Sequence, residues 1–507
     1  LLGAACGSVL GLALAAVQYL PTAQLTEHSV ARYRTDWLGK GGGLHWESFV
    51  SLVAPDHYHI FDLSRFHGPG DPTFLYLYVG IAGLVLAIYG LTRWRNRYAI
   101  ALGVMLLFDI LWALGEHTPI WRLIYPILPE TIRLGMHPEF TYGIVSLCLA
   151  GLAAVGLDSL RIANGARMAI GVVIAVDLFL VGSGRPMNCA SVKDEPGVTR
   201  TAFEGSPALL DEVRRYANRD YPPARIDAVD AGMDWATSGP VIGVPTANGA
   251  SPMALEHVIQ LRLSLHPGDR WGWYYPVENL DSPALDVMNV KYLVASEKAA
   301  DRLRPLPRFR DVETLPLGLE LFENLSVMPR FFLVNKVKPV TSDAEARELV
   351  ERRLVSFRDT AMTSQPVTGL SAAGGEAGLV QVIDYRADSL RLSVRTPQAA
   401  FLVLAESYYP GWRAWVDGVP VAIVRTDIAF RGLLVPAGAH QVAMRFQPAI
   451  LPVSFAISLM SALLLCALVA SPRTWGGRPR PRRTPGPTAE PGGSARVGGP
   501  GPQLRPS

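Results

Sequence analysis

The sequence predicts a multi-spanning α-helical membrane protein with a large extracytoplasmic α+β region ending in a β-sandwich. Three observations predict it. Apolar runs of spanning length lie towards both ends, arginines crowd alternate connections between them, and from Gly378 onward the apolar pattern takes a period of two. Of 507 residues, 49% are hydrophobic and only 18% charged, with a mean hydropathy of +0.21. A soluble domain carries about 25% charged residues, so the apolar residues here are clustered. A net charge of +3 is too small to argue for nucleic acid.

A bilayer core about 30 Å thick takes about 20 apolar residues as helix. Six stretches meet or approach that length: 1–20, 74–91, 99–115, 141–157, 168–182 and 450–470. The fifth is the shortest and carries Asp177 near its middle; Asp109 lies in the third. The chain opens at Leu1 inside an apolar run and reads as a fragment whose N-terminal part is missing. Arg93, Arg95 and Arg97 crowd one link, Arg161 and Arg167 another, and Arg473, Arg478, Arg480, Arg482 and Arg483 follow the last run. Basic residues stay in the cytoplasm, and counting spans alternately puts all three groups on one side.

The resulting organisation has a transmembrane region at 1–184, with outer loops at 21–73 and 116–140. An extracytoplasmic α+β region follows at 185–377, then an extracytoplasmic β-sandwich at 378–449 and a C-terminal span at 450–470. The tail at 471–507 is Pro, Gly and Arg with little apolar content, and is expected to be disordered in the cytoplasm. Cys6, Cys148 and Cys466 lie in apolar runs, which leaves Cys189 alone in the polar remainder and excludes a disulfide framework.

Within the outer region, SPALLDEVRRYANR at 206–219 has helical spacing behind a Ser-Pro start, and ARIDAVDA and NVKYLVAS read as strands. Ser342 and Glu345 are spaced as a capping box for a helix at 343–355. LVQVIDY, SLRLSVR, AAFLVLAES, WRAWVDG, VAIVRT, GLLVP and HQVAMRF are short runs separated by turn residues, the signature of a sandwich. Asp417-Gly418 fits a two-residue hairpin loop. In WRAWVDG, Trp412, Ala414 and Val416 share one face and Arg413, Trp415 and Asp417 the other. One of these faces must be buried, so at least one tryptophan belongs to the core.

The segment ESYYPGWRAWVDGVPVAIVRTDIAFRGLLVPAGAHQVAMRF resembles the C-terminal signature of the YfhO-like family of bacterial membrane proteins. The resemblance extends to VMNVKYLVAS, to LGEHTPIWRLIYPILPETIRLGMHPEF and to VQYLPTAQL. It implies a glycosyltransferase-like protein of the GT-C type, taking sugar from a polyprenyl-phosphate donor to a cell-envelope polymer or lipid on the outer face. Two departures stand out. Glu139 follows Pro138 where the family usually has a basic residue, and the acidic residue that the family uses in catalysis belongs to a loop preceding this chain. No catalytic residue is therefore carried over.

A lipid-linked phosphate calls for cations beside the spans, because an arginine fork matches phosphate oxygens. Arg32, Arg34, Arg133 and His137 are the candidates, weighed against simple headgroup contact. Trp271, Trp273, Tyr408 and Trp415 are the candidate glycan or interface aromatics, weighed against core packing. Asp56, His57, His59, Asp62, His67 and Asp71 match no known metal spacing, so no metal and no cofactor is expected. The partners expected are the bilayer, a polyprenyl-phosphate sugar and envelope glycan. Two other readings stay open: a non-catalytic envelope protein anchoring a glycan-binding sandwich, and a transporter of lipid-linked sugar. A transporter should show repeated spans or broken helices, and the sequence shows no repeat.

Overall fold

The computed structural model describes residues 2–33, 42–129, 133, 137–183, 207–231, 235, 239, 243–249, 251–272, 274–370 and 378–470. The expected tail at 471–507, Cys189, Arg34 and Trp273 lie outside the described residues. The chain divides into two compact units, 1–21 with 450–507, and 22–449.

In the first unit, helix Leu2–Leu14 packs against helix Ile450–Ala470. The expected span at 1–20 is broken, since Cys6–Leu14 and Ala16–Glu27 meet at 70°. A break frees backbone groups that must find partners in an apolar setting. Ser458 supplies them: its hydroxyl accepts from the Val17 N–H at 2.8 Å and donates to the Ala13 carbonyl at 3.4 Å.

The second unit begins with a helical part. Among the described residues of the whole chain, Pro138–Asp158, Asn164–Gly182 and Ile450–Leu468 are long and apolar enough to cross a membrane, and the bent pair adds a fourth only when counted as one span. The six expected spans are corrected accordingly. The run at 74–91 is helical only over Ile81–Leu91, because Gly80 takes φ 83° and ends the helix there. Leu75, Leu77 and Tyr78 before it are buried without being helical. Arg97–Ala113, at 17 residues, falls short as well.

Helices Ile81–Leu91 and Tyr142–Asp158 cross with their backbones touching. A Cβ on Gly90 would lie 2.1 Å from the Leu152 carbonyl oxygen, and one on Gly156 would lie 2.1 Å from that of Leu86. Small residues allow this approach, which replaces the missing hydrophobic drive between helices in lipid. Ala87, Ala99, Leu106, Val145, Cys148, Leu149 and Leu152 pack around the crossing.

The remainder of the unit is layered. Strands β1 (Arg225–Val229), β2 (Val290–Ser296), β3 (Phe309–Leu315) and β4 (Leu319–Asn324) form a sheet in the order β1-β2-β4-β3, with β1 and β2 parallel. Helix Pro207–Ala217 covers one face of it. Asn324, which opens the sequon Asn-Leu-Ser, is 1% exposed and donates to Asp286 and to the Val290 carbonyl, so it is a core residue.

Strands β5 (Phe331–Val334), β6 (Lys336–Pro339) and β7 (Thr360–Thr363) come next, then β8 (Leu379–Tyr385), β9 (Ser389–Thr396) and β10 (Ala400–Ser407). After them come β11 (Trp412–Val416), β12 (Val419–Val421), β13 (Val424–Thr426), β14 (Phe430–Val435) and β15 (Gly438–Phe446). They make a six-stranded sheet, β5-β10-β14-β13-β7-β6, and a five-stranded sheet, β12-β11-β15-β9-β8. Leu333, Leu392, Leu402, Leu404, Leu433, Val442 and Met444 from the two sheets share one core.

Strand β10 reads as an unbroken apolar run because both of its faces are covered. Leu402 and Leu404 meet the five-stranded sheet, whereas Phe401, Val403 and Ala405 join the core of the four-stranded sheet and its helices. The sandwich expected at 378–449 therefore reaches back to Phe331. Its first sheet takes β5, β6 and β7 from the preceding α+β region, since β10 and β13 need partners on those edges. Two local expectations hold. Asp417 and Gly418 take φ 50° and 83° in the β11–β12 hairpin, and the Ser342 side chain accepts from Glu345 N–H at 3.1 Å ahead of helix Asp343–Glu351.

Candidate functional site

The opening of ESYYPGW ends β10 and leads into β11, and its residues wall a cleft of about 280 Å³. Gly411 at φ 107° makes the sharp entry, and a Cβ there would meet Pro448 at 2.8 Å. Tyr385, Tyr409, Trp412 and Phe446 line the cleft together with Leu255, Arg386, Glu406 and Arg431. Leu255 belongs to the segment on which residues 28–30 dock: Val30 N–H donates to the Ala254 carbonyl and Glu256 N–H to that of His28, both at 2.9 Å. The His28 ring then meets Tyr409 edge-on at 5.5 Å.

Three arginines converge on Glu406. Arg330 Nε lies 2.9 Å, Arg225 Nη2 3.2 Å and Arg431 Nη2 4.0 Å from its carboxylate, which also accepts from the Tyr385 hydroxyl at 3.1 Å. Burial opposes ionisation of Glu406, but the guanidinium of Arg225, then those of Arg330 and Arg431, outweigh it and hold the carboxyl below its usual range. Glu406 is thus a fixed anion and a poor proton shuttle.

The three cations are placed differently. Arg225 donates to the carbonyls of Met288 and Ala405 at 3.0 and 2.6 Å, and Arg330 to that of Pro223 at 3.1 Å. Arg431 stacks its guanidinium on Trp412 at 3.8 Å, and its buried Nε and Nη1 have no hydrogen-bond partner. Burial pulls its pKa down to about 10, with Glu406 opposing, so it stays charged at neutral pH.

A larger recess of about 600 Å³ lies between Gln365–Thr368, β11–β13 and His440. Its walls are mainly apolar, and its charged groups, Asp417 and His440, already pair at 2.6 Å. Unlike Arg431, they are not left seeking a partner.

Residues 355–458, about one fifth of the chain, match the family model described as bacterial membrane protein YfhO. Over this segment, the chain is similar to the YfhO family. No curated protein and no solved structure matches it. The YfhO segment contains every wall of the cleft except Leu255, and it runs into the last apolar helix.

The residues singled out from this YfhO-type sequence are not gathered into one place. Arg32 is exposed but engaged, forming an ion pair with Glu256, which also accepts from the Tyr33 hydroxyl. Arg133 lies by Tyr125, whose hydroxyl donates to its carbonyl at 3.4 Å, and its Nε is buried without a hydrogen-bond partner. His137 sits 3.5 Å from Glu139, between Phe74 and Phe140.

Trp271 packs beside Val30, Ile259, Leu263 and Tyr275. Ala414 and Val416 are buried, so Trp412 takes the core side of β11, while half-buried Trp415 stands on the other face. Tyr408 is half-buried next to the cleft, and its N–H donates to the Ala429 carbonyl at 2.7 Å. Asp177 accepts from the Tyr78 hydroxyl at 2.8 Å and from Ile81 N–H at 3.3 Å, tying its helix to the non-helical stretch that leads into helix Ile81–Leu91, and Asp109 is buried.

Among the described residues, no group of three or more His, Cys, Asp or Glu is placed to hold a metal ion. Asp71 is spent on the Thr73 N–H, and His57 and His59 pack against the His67 ring. Sequence reasoning did not single out Arg225, Arg330, Glu406 or Arg431. A glutamate closing an apolar strand and an arginine inside another were the available signals.

Proposed function

We propose that this YfhO-like membrane protein is of glycosyltransferase type, moving sugar from a polyprenyl-phosphate donor to an envelope polymer or lipid outside the cytoplasm. The observation that carries the reading is the aromatic-walled cationic cleft in a family segment that continues into an apolar helix. The arginine asymmetry between the apolar runs supports an outward-facing large region with a cytoplasmic tail. Nucleotide sugars are absent from that side, so a donor held in the bilayer by its prenyl chain is the consistent choice. Arg133 is the donor contact retained, because Arg32 already has Glu256 as its counterion.

One observation favours the glycan-binding anchor as a second reading. Glu406, the acid in the cleft, is neutralised by arginines and is not available as a general base, so the cleft itself is suited to binding rather than to bond making. Incorporation of labelled sugar from a polyprenyl-phosphate donor into envelope material tests both. Arg133→Ala is expected to lower incorporation, and Arg95→Ala to leave it at the parent level. Equal incorporation by all three would remove Arg133 as a donor contact. A well-expressed parent that incorporates nothing would leave the binding anchor.

A further inference from the structure

We infer that the Arg431 cleft binds the phosphate ester of a monosaccharide-sized sugar. A structural arginine at this depth spends at least one donor on a nearby carbonyl, as Arg225 and Arg330 do, although Arg330 Nε has no hydrogen-bond partner. Arg431 does not. Its side chain is 4% exposed, its only acidic partner among the described residues is Glu406 at 4.0 Å, and that distance is too long for a hydrogen bond. Buried donors with no partner are costly unless a ligand completes them. Nε and Nη1 lie on different edges of the guanidinium, so each has a separate hydrogen bond to offer an oxyanion oxygen.

Charge selects among oxyanions. Three guanidiniums face one carboxylate, which leaves a formal excess of two positive charges. A phosphate monoester carries about −1.5 to −2 at pH 7 and balances that excess, whereas a carboxylate leaves a positive charge over. Exposed Arg386 at the lip pairs with Asp384 at 3.4 Å, so its contribution to the attraction is small.

The walls select what carries the phosphate. Tyr409 and Phe446 present flat apolar surface beside polar groups, as surfaces that accept a pyranose ring do. A volume of about 280 Å³ suits a ligand the size of one sugar. Trp412 acts as a positioning residue, holding the guanidinium plane by stacking so that little side-chain freedom is lost when the ligand arrives.

This inference deepens the reading above by naming what is bound, and its test needs no turnover. The full chain in lipid nanodiscs is titrated with glucose 6-phosphate, inorganic phosphate, methyl glucoside and glucuronate, by calorimetry. Glucose 6-phosphate should saturate, with affinity at least about tenfold above each of the other three. Arg431→Gln should weaken it about tenfold or more. Arg386→Gln, at an exposed position that leaves the fold intact, should weaken it by a smaller factor. Competition by a prenyl-linked sugar that keeps a free phosphate monoester within the nanodisc would identify the membrane as the source, and no competition would identify free glycan. Glucose 6-phosphate binding no tighter than inorganic phosphate, or binding unchanged in both variants, overturns the inference. Arg431-dependent binding without sugar transfer would leave the inference standing and remove the transferase reading; transfer without such binding would do the reverse.

Discussion

Asp427 sits at the β13–β14 turn with no exposed surface, its Oδ1 accepting from Met362 N–H at 2.8 Å and its Oδ2 without a hydrogen-bond partner. Burial raises its pKa to about 7, the Met362 N–H opposing only in part. A carboxyl raised in the folded state binds its proton more tightly there than in the unfolded chain. The stability it contributes is complete below the unfolded value near 3.8 and is lost as pH climbs through about 7. Each tenfold difference in proton affinity between the two states is worth about 1.4 kcal/mol, so the loss across that window is on the order of 4–5 kcal/mol. Asp427→Asn keeps the acceptor for Met362 and removes the titration. Thermal midpoints of parent and variant between pH 4 and 8 should therefore diverge, the parent falling and the variant staying level in this window. Parallel profiles would mean that Asp427 is solvated in the native state. No feature of RTDIAF in the sequence marks this aspartate as different from a solvated turn residue, because its burial comes from β7, more than sixty positions away along the chain.

At the scale of elements, what was legible followed from local chemistry. Asp417-Gly418 specified its hairpin because two successive left-handed residues are cheap for that pair, and Ser342 specified a helix start because its hydroxyl reaches Glu345 N–H. Apolar length alone overstated the spans, since LYLYVG before Ile81 packs without forming a helix. The cleft was illegible for a related reason. Arg225, Arg330 and Arg431 sit in or beside strands from different parts of the chain, and only sheet pairing brings them to Glu406. The Gly90–Gly156 crossing was hidden too, because apolar runs carry glycine for many reasons. Its consequence is specific. Gly156→Ala puts a methyl 2.1 Å from the Leu86 carbonyl oxygen, so the helices must part. The expected cost is about 1–3 kcal/mol, read as a lower thermal midpoint in detergent. Gly171→Ala, where nothing lies within 4 Å of the added atom, is the control and should leave the midpoint unchanged or raise it. Equal midpoints for the two variants would rule out the close crossing.

For the second unit as a whole, the decisive feature is that β10 belongs to two cores at once. Phe401, Val403 and Ala405 are fully buried against the helices and four-stranded sheet, and Ala400, Leu402 and Leu404 against the five-stranded sheet. The α+β region and the sandwich are consequently one folding problem, although the apolar period changes near residue 378. A fragment limited to 378–449 would lack β5, β6 and β7. It would expose one face of β10, and β10 and β13 would become open edges, the usual template for aggregation. A fragment covering 207–449 keeps all three sheets with helices Pro207–Ala217, Glu256–Arg262 and Asp343–Glu351. Expressed without the apolar helices, 207–449 should be a soluble monomer with a strand-rich circular dichroism spectrum and a single cooperative unfolding transition. The shorter fragment should precipitate or elute as aggregate in size-exclusion chromatography. A cooperative, monomeric 378–449 would show that its own two sheets suffice. The shared β10 core would then be a docking surface between two domains, not the centre of one.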